Sequence, residues 1–385
     1  MTETSPAPEH GTPPATEIEL AGLRLRLVPV PWARSVGGCL AVACGSRDDP
    51  PTAASTAHLA EHVRALSGAG HVRRSVPVFA QTDIARTLFR ATAAPEAAAD
   101  LAARLVDVLG DASVDEATLE SERTAVELET ARMDSSALLR AGGLFAAAAA
   151  DEPGMDSIAR TRREDVAAVT HRQVAALTAW GYRADRAVLA VAGPPEALRA
   201  VPDAVAARLA RHPHPAAAAR PTAARPTAAA ATPRLRLPAL DGLLAVTLTR
   251  PRQAADLHAR AVLGDRGPLV AAGLREGVPL LGRTTVENAE QAVDVLCWKP
   301  AGNNRQLAEH LPAACTAQEA DDTVRELAAR QARHEHAFTT HTPMAQALAA
   351  ALDDPAAPRR ITGRLRLAVW RVTDGIPVPV PVPAG

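Results

Sequence analysis

Apolar positions along the first half of this chain alternate in short runs at its two ends and recur at helical spacing between them. Ile18, Leu20, Leu23, Leu25 and Leu27 alternate imperfectly with polar residues, the mark of a half-buried strand, and Val36–Cys44 predicts a second strand after Pro29–Ser35. The turn Gly45-Ser46-Arg47-Asp48-Asp49 ends that strand, and two strands joined this way suggest a meander at a sheet edge. Helices are predicted at Ala53–Leu66, Pro95–Leu109, Asp115–Met133, Ser136–Ala150 and Asp165–Trp180, with room for two short strands over 72–93. Ala98, Leu101, Leu105 and Val108 give the second of these helices one apolar face. A short buried strand at Ala187–Ala192 and a helix at Pro195–Arg211 close the first half.

From 212 to 233 the periodicity stops. The segment HPHPAAAARPTAARPTAAAATP repeats Arg-Pro-Thr and reads as a linker, semi-rigid where its prolines cluster. Beyond it the pattern predicts a strand at Gly242–Thr249 and a helical stretch to about Glu276. A strand at Ala292–Trp298, a helix at Gln318–His334 and a last strand near Leu365–Val372 follow. The tail IPVPVPVPAG favours polyproline II and reads as exposed. The expected organisation is a disordered lead-in at 1–17, an α+β domain at 18–211, a Pro/Ala-rich linker at 212–236, a second domain at 237–375 and the tail at 376–385.

Composition narrows the function. The chain has 385 residues, enough for two or three domains, and 47% apolar against 22% charged residues suits a protein with a real core. Its 42 basic and 43 acidic residues leave a net charge of −1, so no positive field collects phosphates, and only four Trp, four Phe and one Tyr could stack on bases. A nucleic-acid partner is not expected. Lys299 is the sole lysine, and the cysteines Cys39, Cys44, Cys297 and Cys315 form no CxxC pair, which argues for reduced core residues. No run of 18 apolar residues could span a membrane, and the acidic, Pro-rich N-terminus does not resemble a signal peptide. A cytoplasmic location is expected.

The sharpest chemical signal is His58-Leu59-Ala60-Glu61-His62. On a helix His58 and His62 lie one turn apart on the same face, so both imidazoles can reach one metal ion. Glu61 beside them can polarise a water without being a ligand, and the HxxEH order is that of the inverted zinc-peptidase motif. A zinc hydrolase needs a third protein ligand. Glu122 and Glu129, seven residues apart on one helical face, could supply it, one coordinating and the other supporting, whereas Glu127 points elsewhere. A solvated acidic helix face is the alternative for that pair.

The ordered segments GSRDD, TAHLAEH and ERTAVELE, followed by Arg163-Glu164-Asp165-Val166, Gly181-Tyr182-Arg183-Ala184-Asp185 and Val188–Gly193, resemble the pitrilysin/insulinase family of zinc peptidases. The resemblance is strongest to the branch built from paired homologous domains, like mitochondrial processing peptidase. It covers about 18–210 clearly and 240–375 weakly. It implies an α+β fold of two homologous domains, each a mainly antiparallel sheet packed with helices. It also implies Zn2+ held by His58, His62 and Glu129, with Glu61 as general base and Glu122 in support. Leu274-Arg275-Glu276 is similar to the family segment whose arginine and tyrosine hold substrate, which makes Arg275 a substrate-binding candidate, but position 282 is Gly where that tyrosine is expected. Such a chain resembles the catalytic member of a heterodimer whose homologous partner supplies the pair, with a homodimer or monomer as alternatives. The implied substrate is an unfolded peptide or leader segment entering a chamber as an added strand. A non-catalytic scaffold subunit and a metal-binding protein without hydrolysis are the competing classes.

Other histidines carry less. His334, Glu335, His336 and His341 cluster at a predicted helix end and read as a polar terminus. Gln306-Leu307-Ala308-Glu309-His310 echoes HLAEH without its first histidine, and His212 and His214 sit in the linker. Arg47 and Asp48 could brace the metal helix or form a surface ion pair.

Overall fold

The computed structural model describes residues 15–50, 53–66, 76–110, 115–149, 162–211, 240–251, 268–287, 291–299, 306–307, 309–311, 342–352, 366–374 and 376–380. The helix expected at Gln318–His334, the cluster around His336, and His212 and His214 lie outside these residues.

The apolar alternation expected as one strand over 18–27 folds as a hairpin, β1 (Thr16–Leu20) and β2 (Leu23–Pro29). Ala21 and Gly22 between them both take positive φ, 47° and 87°, the two-residue turn whose twist matches antiparallel strands. With β3 (Val36–Val42), β4 (Phe79–Thr82), β5 (Thr87–Ala93) and β6 (Ala187–Gly193) they form a six-stranded sheet in the order β1-β2-β6-β3-β5-β4. Only the β2–β6 pair is parallel. The second sheet is antiparallel throughout, with β7 (Leu244–Pro251), β8 (Leu280–Glu287), β9 (Gln291–Trp298), β10 (Arg366–Thr373) and β11 (Ile376–Val380) in the order β11-β10-β7-β9-β8.

The helices are α1 (Thr56–Ala65), α2 (Ala98–Val106), α3 (Glu116–Asp134), α4 (Ala137–Ala149), α5 (Arg163–Ala168), α6 (His171–Gly181), α7 (Pro195–Leu198), α8 (Val201–Arg211), α9 (Pro268–Arg275) and α10 (Pro343–Leu352). Leu59 of α1, Leu101 and Leu105 of α2, Leu177 of α6 and Val205 of α8 pack on one face of the first sheet in its main core. The opposite face is covered by α10, whose Ala347 and Ala351 meet Val30, Cys39, Ala41, Ala190 and Ala192. Strands β3 and β6 are therefore buried along their whole length. Burial on both faces explains why VGGCLAV and AVLAVAG read as continuous apolar runs instead of alternating. Adjacent residues of a strand face opposite sides, and a Cβ on Gly37 would strike the backbone of Met344 in α10 while one on Gly38 would strike Leu101.

The exchange is reciprocal. Helix α4, which precedes the linker, lies on the second sheet, with Ala141, Leu144, Phe145 and Ala146 packed on Ala245, Val293, Val295 and Cys297. Helix α9 covers the other side of that sheet through Leu269 and Ala272. The expected α+β class with two helix-packed, mainly antiparallel sheets is what the structure has.

Besides the β1–β2 hairpin, the helix expected over Asp165–Trp180 is broken at Val169 into α5 and α6, and further elements were not foreseen. Strand β8 lies in the stretch after Glu276 where no element was predicted, and α10 likewise falls between predicted elements. The tail does not run free as polyproline II: Ile376–Val380 pairs with β10 from Thr373↔Ile376 to Val369↔Val380. Pro377 and Pro379 are compatible with a strand because β11 is an edge, where missing N–H groups cost no ladder bond. Among the described residues no helix is long and apolar enough to cross a membrane.

Candidate metal centre

Helix α1 carries His58, Glu61 and His62, and the structure fixes it at both ends. Its N-cap Ser55 has φ 71° and makes no side-chain cap bond. The cap comes from Asp49 instead, whose carboxylate accepts from the backbone N–H of Ser55 (2.8 Å) and Ala57 (2.6 Å). Asp49, the residue after the Arg47–Asp48 pair singled out from the sequence, thus braces the start of α1. Burial pushes the Asp49 carboxyl up to about 7, against those two donors, which favour the anion. At the other end the buried guanidinium of Arg104 donates to the Ala65 carbonyl. Arg64, also buried, donates from Nε to the Val108 carbonyl at 2.7 Å, tying α1 to the turn after α2.

Helix α3, capped by the Asp115 side chain on Thr118 N–H (2.9 Å), carries the two glutamates. Glu129 Oε2 lies 3.3 Å from His58 Nε2 and 3.6 Å from His62 Nε2, and the two imidazole rings are 5.0 Å apart between centroids. Glu122 Oε2 stands 3.0 Å from the other nitrogen of His62, Nδ1. Glu127 turns away and pairs with Arg163 at 2.9 Å. The helical spacing thus separates one inward face, Glu122 and Glu129, from a third acid two residues before Glu129 that does different work.

Donor atoms of His58, His62 and Glu129 all fall within 4.8 Å of one another, a grouping that could hold a metal ion. Tetrahedral zinc with bonds of about 2.0–2.1 Å has neighbouring donors about 3.3 Å apart. The observed 3.3 Å and 3.6 Å match that edge, and they exceed the roughly 2.7–2.9 Å of a charge-assisted N–H···O bond. Two imidazoles and a carboxylate are also a donor set suited to zinc. Glu122 fits the site as well, because a carboxylate on Nδ1 keeps the proton there and leaves Nε2 free to ligate. Electrostatics follow the same contacts. The His58 imidazole beside Glu129 holds that carboxyl below the usual range against the opposing effect of burial, with His62 adding to the shift. Burial disfavours the His58 cation, but the Glu129, Glu61 and Asp49 carboxylates outweigh it and raise its pKa above the ordinary value.

These groups open on a cavity of about 890 Å³. Glu61 lines it while only 6% exposed, and Thr285 and Val286 of β8 contribute wall from the second sheet. Strand β4, which among the described residues is an edge of the first sheet paired only with β5, borders the same space through Phe79–Thr82.

A chain with this sheet pair, helix exchange and cavity superposes on solved structures. It matches a chain described as an M16-like peptidase from Alicyclobacillus acidocaldarius with TM-score 0.64, 16% identity, and coverage of 88% of this chain and 87% of that one. The fold is that of the M16-like peptidases. A chain of complex III2 from Candida albicans aligns with TM-score 0.62 at 12% identity, covering 87% of this chain and 84% of the other. Pitrilysin aligns with TM-score 0.50 at 18% identity over 78% of this chain, which spans 35% of pitrilysin. No protein-family model and no curated protein sequence matches the chain. At such identities the likeness establishes the M16-like fold, and the residues of the site must be judged by their own geometry.

The structure brings His58, Glu61, His62, Glu122 and Glu129 together and leaves Arg275 apart. Arg275 ends α9 exposed and is not among the residues lining the cavity. Gly282 faces α4, where an added Cβ would lie 2.5 Å from Leu138 Cδ2, the end of a side chain that would have to shift. Tyr182 is a core residue, 3% exposed, its ring edge-on to Phe89 at 6.1 Å. Cys39 and Cys297 are buried, which pushes both thiols up to about 12 and makes them unsuitable as nucleophiles. The echo motif ends in His310, paired with Glu276 at 2.7 Å. Asp49 and Thr82 are the site residues that the sequence did not single out, since each acts through a contact that no local spacing announces.

Proposed function

We propose that this chain is a zinc-dependent endopeptidase of the pitrilysin/insulinase type, acting on unfolded peptides or leader segments in the cytoplasm. The observation that carries this is the approach of Glu129 Oε2 to His58 Nε2 (3.3 Å) and His62 Nε2 (3.6 Å), the three donors lying within 4.8 Å of one another beside a buried Glu61. His58, His62 and Glu129 hold the ion, and Glu122 orients His62. Bound zinc supplies Lewis-acid polarisation of the scissile carbonyl and acidifies water. Glu61, on the same helix face of the cavity, accepts the proton of the attacking water and returns it to the leaving amine. The edge of β4, unpaired among the described residues, suits an extended peptide that pairs as an added strand. Because Arg275 stands away from the cavity and position 282 is glycine, the groups that hold substrate from the opposite side come from a homologous partner subunit, as a heterodimer.

A second reading, a non-catalytic scaffold subunit, is favoured by the likeness to a complex III2 chain. One experiment separates them: zinc content by elemental analysis and cleavage of an unfolded polypeptide, for wild type, Glu61→Gln and Glu129→Gln. The peptidase is expected to carry one zinc per chain, to keep it in Glu61→Gln while losing cleavage, and to lose both in Glu129→Gln. Full cleavage by Glu61→Gln would refute the assigned base. Zinc-free wild-type protein after metal addition would favour the scaffold.

A further inference from the structure

Glu61 is the group whose geometry is most demanding, and one residue outside α1 and α3 holds it. Thr82, the last residue of edge strand β4, donates from Oγ1 to Glu61 Oε2 at 2.7 Å. A carboxylate only accepts, which fixes the direction of that bond. Thr82 Oγ1 also lies 3.4 Å from Thr87 Oγ1, but the single hydroxyl proton of Thr87 goes to the Cys44 carbonyl at 2.8 Å. Thr87 is fully buried and anchored in this way to the end of β3, so it backs Thr82 from inside the sheet. Of the two contacts that Thr82 Oγ1 makes, the 2.7 Å one to Glu61 Oε2 is much the shorter, and Glu61 lines the cavity.

We propose that Thr82 is a positioning residue for Glu61: it holds one carboxylate oxygen so that the other is presented to the reacting water, and it couples that alignment to the strand along which substrate would pair. This rests on the peptidase function proposed above. A long, flexible glutamate side chain has several rotamers, and near-attack alignment tolerates only small errors. Without Thr82 a nearly buried carboxylate oxygen loses its partner and reorients to find another. Substrate pairing on β4 and base alignment then share one element, so a peptide that displaces the strand end disturbs the base as well.

The test compares Thr82→Val, which keeps shape and strand propensity but lacks the hydroxyl, with Thr82→Ser, which restores it. The zinc-loaded chain, with its partner subunit where activity needs one, is assayed on an unfolded polypeptide. Crystal structures of the metal-free wild type and both variants give a second readout. Expected for Thr82→Val are unchanged zinc content, KM within about twofold, a fall in kcat of about 10–100-fold, and a Glu61 carboxylate turned from its place. Thr82→Ser is expected to recover most of kcat and the carboxylate position. Wild-type kcat in Thr82→Val, or Glu61 unmoved in its metal-free crystal, would overturn the proposal. A zinc-loaded wild type that cleaves nothing would sink the peptidase function instead, and the crystals would still decide whether Thr82 fixes Glu61.

Discussion

On the proposed function, Glu122→Ala probes the site at its most informative point, because it removes none of the three candidate ligands. Glu122 Oε2 sits 3.0 Å from His62 Nδ1, and the two side chains are 19% and 15% exposed. Its loss frees the imidazole to flip or to take the wrong tautomer, which turns Nε2 away from the position 3.6 Å from Glu129. Carboxylates in this role are worth about 10–100-fold in metal affinity, or about 1.4–2.7 kcal/mol. The same figure should emerge from stability. Free zinc at about 100 times the wild-type Kd stabilises the fold by about 2.7 kcal/mol, and a 10-fold or 100-fold weaker site reduces that to about 1.4 or about 0.4 kcal/mol. Competition with a chromophoric chelator measures affinity directly, and denaturant melts with and without zinc measure the linkage. Glu127→Ala is the control on the same helix, since Glu127 faces Arg163, and its zinc affinity should not change. Equal zinc affinity in Glu122→Ala and wild type would refute the supporting role.

Three further outcomes are expected. Gly37→Ala drives a Cβ into the Met344 backbone, and overpacking against a backbone should cost about 3 kcal/mol, visible as a lower denaturant midpoint with an unchanged zinc site. In the metal-free chain the folded Asp49 carboxyl titrates at about 7 against 3.8 for the unfolded group. The folded state therefore binds the extra proton between those values and stability falls as pH rises through them, a slope that Asp49→Asn should flatten in pH-dependent melts. His58 has a raised pKa, so in the metal-free chain its contribution is present below the ordinary histidine range and lost as pH rises through the raised value. Zinc titrations should show the opposite sense, affinity increasing as pH rises and the His58 proton leaves.

The residues of the candidate metal site were legible because their spacing is helical and local: His58 and His62 at i, i+4, Glu122 and Glu129 at i, i+7. Their meeting was foreseen only by resemblance, since nothing in either segment alone says that α1 faces α3. Buried β3 and β6 were legible as runs, but their cause was not, because α10 covers them from about 150 residues beyond β6. Helix α10 itself, PMAQALAAAL, is too uniformly apolar for an amphipathic pattern to mark its face. Strand β8 was missed because LLGRTTVE puts a glycine and an arginine early in the strand and shows a bulge between Leu280 and Gly282. The tail was misjudged by composition: alternating Val and Pro suit polyproline II and an edge strand equally until a neighbour such as β10 is present.

The crossing of α4 and α10 decides how this molecule can be taken apart. All three candidate ligands lie between positions 58 and 129, so the linker looks like the natural place to cut if only the front piece is wanted. That piece would bare Val30, Cys39, Ala41, Ala190 and Ala192, and would carry α4 with its own apolar stripe unmatched, an invitation to aggregate. Each piece holds the plug for the other. Co-production of the two fragments should therefore give more soluble protein than either alone, as light scattering of the separate and joint preparations would show.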